Sequence, residues 1–433
     1  MRFVAKQTNI SLRVDVIYSI YVRNHTPEGT FRAIVPDLDR IRALGTDIIW
    51  LMPIHPIGEK GRKGSMGCPY ANRDYRSVNP EYGTMEDFKA LVDEFHRRGM
   101  KCIIDVVYNH TSPDSVLTVE HPEFFYRKSD GSMGNHVGDW TDVVDLDYTC
   151  RALWDYQIES LVKWAGIVDG FRCDVASFVP VEFWCRARAA VEQVRPGCIW
   201  LAETVHSGFG QMSRQCGLYS ANDYEMFTAF DMEYDYDIRE VFDRYLKGEC
   251  ALSNYIDMLN FQECVYPENH IKMRCLENHD QPRICSFVKE ESALVNFTAF
   301  LYFLKGTTLL YAGQEYCCDH TPSLFEKDVF PRAQEKDITP LLRKLYAVKK
   351  NILSPEDCFR GTADDAYDIA VLERDDNHTR KLGVFSLKGK AAEVAVSLPD
   401  GMYTNHLDGT AVQVVAGYLH CAGDPVLLTT VHK

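Results

Sequence analysis

Short apolar runs of strand length alternate with segments of helical period along most of this chain, which restricts it to folds built from β/α units. TDIIWLMPI, residues 46–54, carries an unbroken apolar run, as expected for a strand buried on both faces. Thr84 opens the next helix with Asp87 as its capping partner three residues on. Phe88, Leu91, Val92 and Phe95 then recur at helical spacing until Gly99. KCIIDVV, from Lys101, is again a strand. A helix carrying Trp154, Ile158, Leu161, Val162 and Ala165 on one face ends near Gly166. It leads into the strand of VDGFRCDV, and FWCRARAAVEQV reads as the following helix. With VDVIYSIYV near the start, then GCIWLAETV, FTAFDM, IKMRCLEN and GTTLLYAG, the tally is about eight strands separated by helices. This order and size predict an α/β fold of the (β/α)8 TIM-barrel type. A doubly wound open sheet is the rival, and no GxGxxG follows the first strand to support it.

Two stretches break the alternation. Residues 111–150 hold Pro, Gly and Asp without a helical period and form a long excursion after the third strand; such a loop inside a compact fold is usually functional. From 353 to 433 short alternating runs such as YDIAVLER, KLGVFSLKG and AAEVAVSLP are split by turn clusters, among them Asp375-Asp376-Asn377 and Asp408-Gly409. This predicts a small antiparallel β domain. The barrel is therefore expected over 1–110 and 151–352.

Composition narrows the partners. Forty-seven Lys and Arg against 62 Asp and Glu give a formal net charge of -15, which opposes nucleic acid and anionic membrane surfaces. LVNFTAFLYFLKGTTLLYAG, from Leu294, is interrupted by Asn296, Lys305 and Gly306. It reads as a buried helix followed by a strand and not as a membrane span. The fifteen cysteines show no zinc-ligand spacing, and the N-terminus has no apolar run ending in a small-residue cleavage site. A cytoplasmic protein with free thiols is expected. The adjacent pair Cys317-Cys318 is assigned no function.

Barrel enzymes place their chemistry at the C-terminal ends of the strands, and there this chain concentrates charge. DVVYNH supplies Asp105, Asn109 and His110; GFRCD supplies Arg172 and Asp174; WLAET supplies Glu203; LENHD supplies Glu277, His279 and Asp280. Several carboxylates with an arginine and histidines, and no cofactor motif, suit glycosidic cleavage. In the retaining form an ionised carboxylate and a protonated one stand roughly 5 to 5.5 Å apart. Arg172, two residues before Asp174 on a strand, points to the same face and is expected to hold that carboxylate ionised and oriented. Among the remaining histidines, His25, His55 and His206 lie near strand ends, with His206 the best placed to line a subsite.

In these four segments, DVVYNH, GFRCDVA, LAET and ENHD, standing in that order, the chain resembles the α-amylase family of retaining glycoside hydrolases over nearly its whole length. The resemblance implies Asp174 as nucleophile, Glu203 as general acid/base and Asp280 as the third acid that stabilises the transition state. It also implies His110, Arg172 and His279 as polar groups gripping the sugar. GCPYANRDY is similar to the segment that supplies a stacking tyrosine, here Tyr70. The excursion resembles that family's domain B, and the β tail its C-terminal domain.

The chain also departs from the family. Where secreted members carry a lysine and a calcium-linked histidine, three and four positions after the nucleophile, this sequence has Ser177 and Phe178. One oxygen ligand from Asn109 does not satisfy a cation that takes six to eight, so no calcium is expected at that site and no cofactor is expected, while calcium elsewhere stays open. With the first strand read almost at the N-terminus, the extra N-terminal domain of cyclomaltodextrinase-like relatives is not expected, which argues against their swapped dimer, and the oligomeric state stays open. Val175 is compatible with α-1,4 and with α-1,6 cleavage. The expected activity is hydrolysis of α-1,4 bonds in maltooligosaccharides or related α-glucans. A glucosyl transferase or isomerase using the same intermediate is the alternative, and a non-catalytic sugar-binding relative the remote one.

Overall fold

A computed structural model describes residue 5 and residues 8–137, 139–332 and 336–432. Eight parallel strands close into a barrel in which each strand pairs with its sequence neighbours and the first with the last. They are β1 (Val16–Ile20), β2 (Ile48–Leu51), β3 (Lys101–Val106), β4 (Gly170–Cys173), β5 (Ile199–Ala202), β6 (Met232–Tyr234), β7 (Lys272–Arg274) and β8 (Thr307–Tyr311). Inside, Ile17, Ile48, Trp50, Ile103, Leu201, Met273 and Leu309 fill the interior as one packed cluster, so the barrel is a core and not a pore.

The local signals act as their chemistry requires. Thr84 and Asp87 form a reciprocal capping box at the start of helix Met85–Arg97, and Phe88, Leu91, Val92 and Phe95 are that helix's buried residues. Leu294 lies in a helix, Glu291–Phe303, buried on nearly every side and followed by β8. One strand is not where the sequence placed it. FTAFDM lies mostly in the turn after the short helix Asp223–Met226, and β6 begins at its last residue. The strand holds a fully buried Glu233, ion-paired to Lys272 of β7 at 3.4 Å, and its three residues form no apolar run.

The excursion between β3 and β4 is tied to the barrel rim by a two-residue antiparallel pairing, His110–Thr111 with Val144–Asp145. Beyond helix Thr339–Asn351, two four-stranded antiparallel sheets pack face to face. One runs in the order Cys358–Asp364, Ile369–Asp375, Thr379–Ser386, Val426–Val431. The other runs Ala392–Ala395, Tyr418–Cys421, Ala411–Val415, Gly401–Thr404. Ile369, Val384 and Leu428 meet Val394, Val414 and Leu419 in their shared core.

Candidate active site

The parallel register sets Asp105 of β3 beside Arg172 of β4, and Arg172 beside Leu201 of β5. These positions lie near the C-terminal ends of their strands, so side chains pointing inward here form the floor of the upper rim. Gly170 opens β4 because nothing larger fits: a Cβ there would stand 2.3 Å from the carbonyl oxygen of Ile199.

Arg172 has no exposed surface and binds three carboxylates. Its Nη1 donates to Asp105 Oδ1 and Oδ2 at 2.8 and 3.0 Å and to Asp174 Oδ1 at 2.8 Å. Its Nη2 lies 2.8 Å from Glu203 Oε2, an ion pair without hydrogen-bond alignment, and its Nε donates to the Tyr234 hydroxyl at 3.1 Å. The ring faces of Trp50 and Tyr234 stand 5.2 and 5.3 Å from the guanidinium carbon, so aromatic faces enclose a cation that is strongly desolvated. The arginine was expected to serve Asp174; it is instead the shared counter-ion of a cluster.

Burial pushes these carboxyls up and Arg172 pulls them back. Asp174 stands at about 7, raised first by burial and further by the charge of Asp105. Glu203 is raised to about 8, again by burial first and then by Asp174 and Asp280, against the pull of Arg172. Asp174 accepts an aligned hydrogen bond from the guanidinium, which favours its anion, whereas Glu203 meets the guanidinium without that alignment. The Val175 backbone N–H donates to Glu203 Oε2 at 2.8 Å. Since Oε2 already faces Val175 N–H and Arg172, the carboxylic proton belongs on Oε1. Val175 makes this bond from a left-handed backbone conformation (φ 34°, ψ 45°), unusual for a β-branched residue and found where surrounding structure enforces it.

His279, Tyr70 and Asp105 form a hydrogen-bonded chain. His279 Nε2 lies 2.7 Å from the Tyr70 hydroxyl, which donates to Asp105 Oδ2 at 3.0 Å, while the two rings stack at 5.4 Å and 11°. The same Nε2 is 3.2 Å from Asp280 Oδ2. Burial holds both His279 and His110 down to about 4, so both imidazoles are neutral at neutral pH and offer hydrogen bonds without charge. His110 Nε2 lies 3.8 Å from Asp174 Oδ2. Asn278 Oδ1 accepts the backbone N–H groups of Asp280 and Gln281, which fixes the turn that presents the more exposed Asp280.

These groups border one cavity of about 420 Å³, which Tyr70, His110, Asp174, Glu203, His279 and Asp280 all line. The three acids and the substrate-binding candidates Tyr70, His110 and His279 are thus brought to one place, with Arg172 beneath them, whereas Asn109 and Glu277 do not line the cavity. The sequence reading passed over Tyr236, Trp140, Phe209, Lys63 and Phe325, which line the same cavity from five separate segments, and gave Asp105 no role. Asp105 ended an apolar strand run and could have been found by that signal; the loop aromatics carried none. Of the other histidines, His206 lines the cavity and stacks on Tyr236 at 4.6 Å and 8°. His25 is buried against Asp37 and His55 against the Ser77 carbonyl, which are structural roles.

Among the described residues, no three or more His, Cys, Asp or Glu are grouped to hold a metal ion. Asn109 Nδ2 lies 3.1 Å from His110 Nδ1, Ser177 gives its carbonyl to the Ala221 N–H, and Phe178 packs edge-on to Phe209.

The alpha amylase catalytic-domain model matches residues 6–130 and 137–351. The chain belongs to the alpha-amylase family. The bacterial alpha amylase C-terminal domain model matches residues 361–428, within the two antiparallel sheets. Among solved structures, an alpha-amylase from Lactobacillus plantarum is 44% identical, with a TM-score of 0.94 over 98% of this chain and 100% of that one. A maltogenic alpha-amylase, AmyB, from Thermotoga neapolitana is 32% identical, with a TM-score of 0.87 over 98% and 100%. Alpha-amylase MalA of Haloarcula japonica is 30% identical over 313 residues, 70% of this chain and 44% of that protein. A maltose-1-phosphate maltosyltransferase of Rhodospirillum rubrum is 35% identical over 196 residues, 40% of this chain and 28% of its own length. This chain therefore spans less than half the length of these two curated relatives. No helix among the described residues is long and apolar enough to cross a membrane.

Proposed function

We propose that this member of the alpha-amylase family cleaves α-1,4 glucosidic bonds of maltooligosaccharides with retention of configuration. The observation that carries the reading is that Asp174 and Glu203 sit on neighbouring nitrogens of one guanidinium at the edge of a shared cavity. Two carboxyls so bridged are close neighbours, as a double displacement requires, and the one with the higher proton affinity is the acid. In the first step Asp174 forms a bond to the anomeric carbon as the bond to the leaving oxygen breaks, and Glu203 gives its Oε1 proton to that oxygen. In the second, Glu203 takes a proton from water, the water oxygen bonds to the anomeric carbon, and Asp174 departs. Asp280 lies beside the neutral His279, placed to bind sugar hydroxyls and to face positive charge developing on the ring.

Incubation with maltoheptaose tests the activity; no cleavage anywhere between about pH 5 and 8 rejects it, that window spanning the carboxylate pair's working range. Trapping with 5-fluoro-α-glucosyl fluoride, followed by peptide mass spectrometry, tests the nucleophile. A label on the peptide holding Asp174 is expected.

Transfer to a sugar acceptor is the second reading, favoured by the several maltosyltransferases among the relatives. The same intermediate serves both, and products longer than the substrate would mark it. We further propose that no calcium is needed, so that EDTA leaves turnover unchanged. A reducing, cytoplasmic setting is supported by the fifteen cysteines, all free thiols.

A further inference from the structure

We infer that the site takes its glucan by the non-reducing end. The Asp174 side holds few sugar units, and the departing chain runs out past His206 into a second hollow on the barrel flank. This rests on the proposed double displacement, which gives the cavity a direction. Glu203 protonates the leaving oxygen, so the departing part of the glucan lies on the Glu203 side, toward Val205 and His206. The sugar that bonds to Asp174 extends the other way, past Tyr70 and Cys68 toward Lys63, Asp142 and Phe325.

The two ends are built differently. On the Asp174 side three loops are joined edge to edge. Lys63, from the loop after β2, places its Nζ 3.1 Å from Asp142 Oδ1 and donates to the Asp139 carbonyl at 3.2 Å, both in the excursion. Nearer β2, the Glu59 N–H donates to Asp114 Oδ2 at 3.1 Å. On its other flank the same loop is tied to the loop after β8: Ser65 N–H donates to Glu326 Oε1 at 2.7 Å and Met66 N–H to the Phe325 carbonyl at 3.1 Å. A longer chain leaving the cavity in this direction meets an ion pair and a backbone-bonded seam. Asp142 is buried, so breaking that pair leaves its charge without a partner.

On the Glu203 side the lining continues. Val205 and His206 are shared with a second hollow of about 610 Å³, whose walls include Gln211, Arg214 and Asn222. Amide groups of this kind donate to and accept from sugar hydroxyls, and a guanidinium donates to them. At the threshold the flat pair His206 and Tyr236 offers a ring face against which an apolar sugar face can lie. A cavity closed behind the nucleophile and continued beyond the acid selects chain ends over chain interiors.

The test compares maltoheptaose with maltoheptaose capped at its non-reducing end by a 4,6-O-benzylidene group, both carrying a fluorophore at the reducing end. The expected result is stepwise loss of glucose or maltose from the uncapped substrate, the label staying on the longer fragment, and at least tenfold slower cleavage of the capped one. Equal rates on both, with internal fragments from the first time points, would overturn the inference while leaving the proposed hydrolysis standing. No cleavage of the uncapped substrate would overturn both. Lys63→Ala and Asp142→Ala open the seam and are expected to raise the capped-to-uncapped rate ratio several-fold. An unchanged ratio in both variants, with the fold verified by circular dichroism, would overturn the assignment of that wall.

Discussion

One guanidinium serves three buried carboxyls here, and their proton affinities are therefore set jointly. In the proposed first step Asp174 is ionised and Glu203 protonated, so kcat/KM should rise with pH through the first and fall through the second. With values of about 7 and about 8, the bell is expected to be narrow and centred between them. Asp105 raises Asp174 by its charge, so Asp105→Asn should move the acid limb to lower pH; a limb that stays in place would remove Asp105 from the electrostatics of the site. The same shifts govern stability. A carboxyl whose folded value lies above its unfolded one holds more protons when folded, so its contribution declines as pH rises from about 4 toward 8. Asp174→Asn removes that penalty. Its Tm should exceed the parent's by more at pH 8 than at pH 5, with turnover abolished at both. A Tm difference independent of pH would contradict the raised value. Glu203→Gln should lower kcat/KM by about 10²- to 10⁴-fold on maltooligosaccharides and by far less on glucosyl fluoride, whose leaving group needs no proton in the first step. None of this sharing was visible in the sequence. The spacing of Arg172 and Asp174 put both on one face, but that Asp105 and Glu203 reach the same guanidinium depends on register between neighbouring strands.

At the scale of elements, most of the barrel was legible because parallel strands buried on both faces leave continuous apolar runs. Helix Met85–Arg97 was equally readable from its cap and period. The exception is instructive. β6 is three residues long, with Met232 and Tyr234 in the barrel interior and Glu233 between them on the opposite face, and the apolar residues of the preceding turn carried the stronger signal. The excursion could be bounded but not shaped, since its contacts with Lys63 and with the β2–β3 segment are made by side chains and carbonyls without a period to detect. Gly170, the first residue of GFRCDVA, was likewise only a letter in the sequence. In the fold it allows β4 and β5 to approach, and Gly170→Ala would drive a methyl into the Ile199 carbonyl and toward Ile103. Backbone cannot yield as a side-chain tip can, so the expected cost is about 1–3 kcal/mol, measured by urea unfolding. Because Arg172 stands two residues on, kcat should fall as well. Full activity with full stability would show that the strand pair tolerates the shift.

For the whole molecule, the question is whether the C-terminal sheets are an accessory or part of one cooperative structure. The barrel helix Glu291–Phe303 presents Phe300 and Phe303 to Phe385 of strand Thr379–Ser386, at 5.6 Å in each case, and all three rings are buried. Asn260, on the preceding barrel helix, exchanges two hydrogen bonds of 2.8 Å with the backbone of Gly361. Arg374, fully buried, donates from the β unit to the Phe303 carbonyl at 3.1 Å and pairs with Asp357 at 3.2 Å. Removing the sheets would leave these aromatic rings and a carbonyl without partners on the flank of the helix that feeds β8, the strand next to β7, from whose end Asp280 projects. Cutting Phe385 back to Ala creates a cavity at this junction, expected to cost about 3–5 kcal/mol. The loss should appear in one transition, with tryptophan fluorescence, reporting the six barrel-region tryptophans, and enzymatic activity lost together as urea rises. Two separated transitions, with activity surviving the first, would instead make the β unit an independently folding attachment to a self-sufficient barrel.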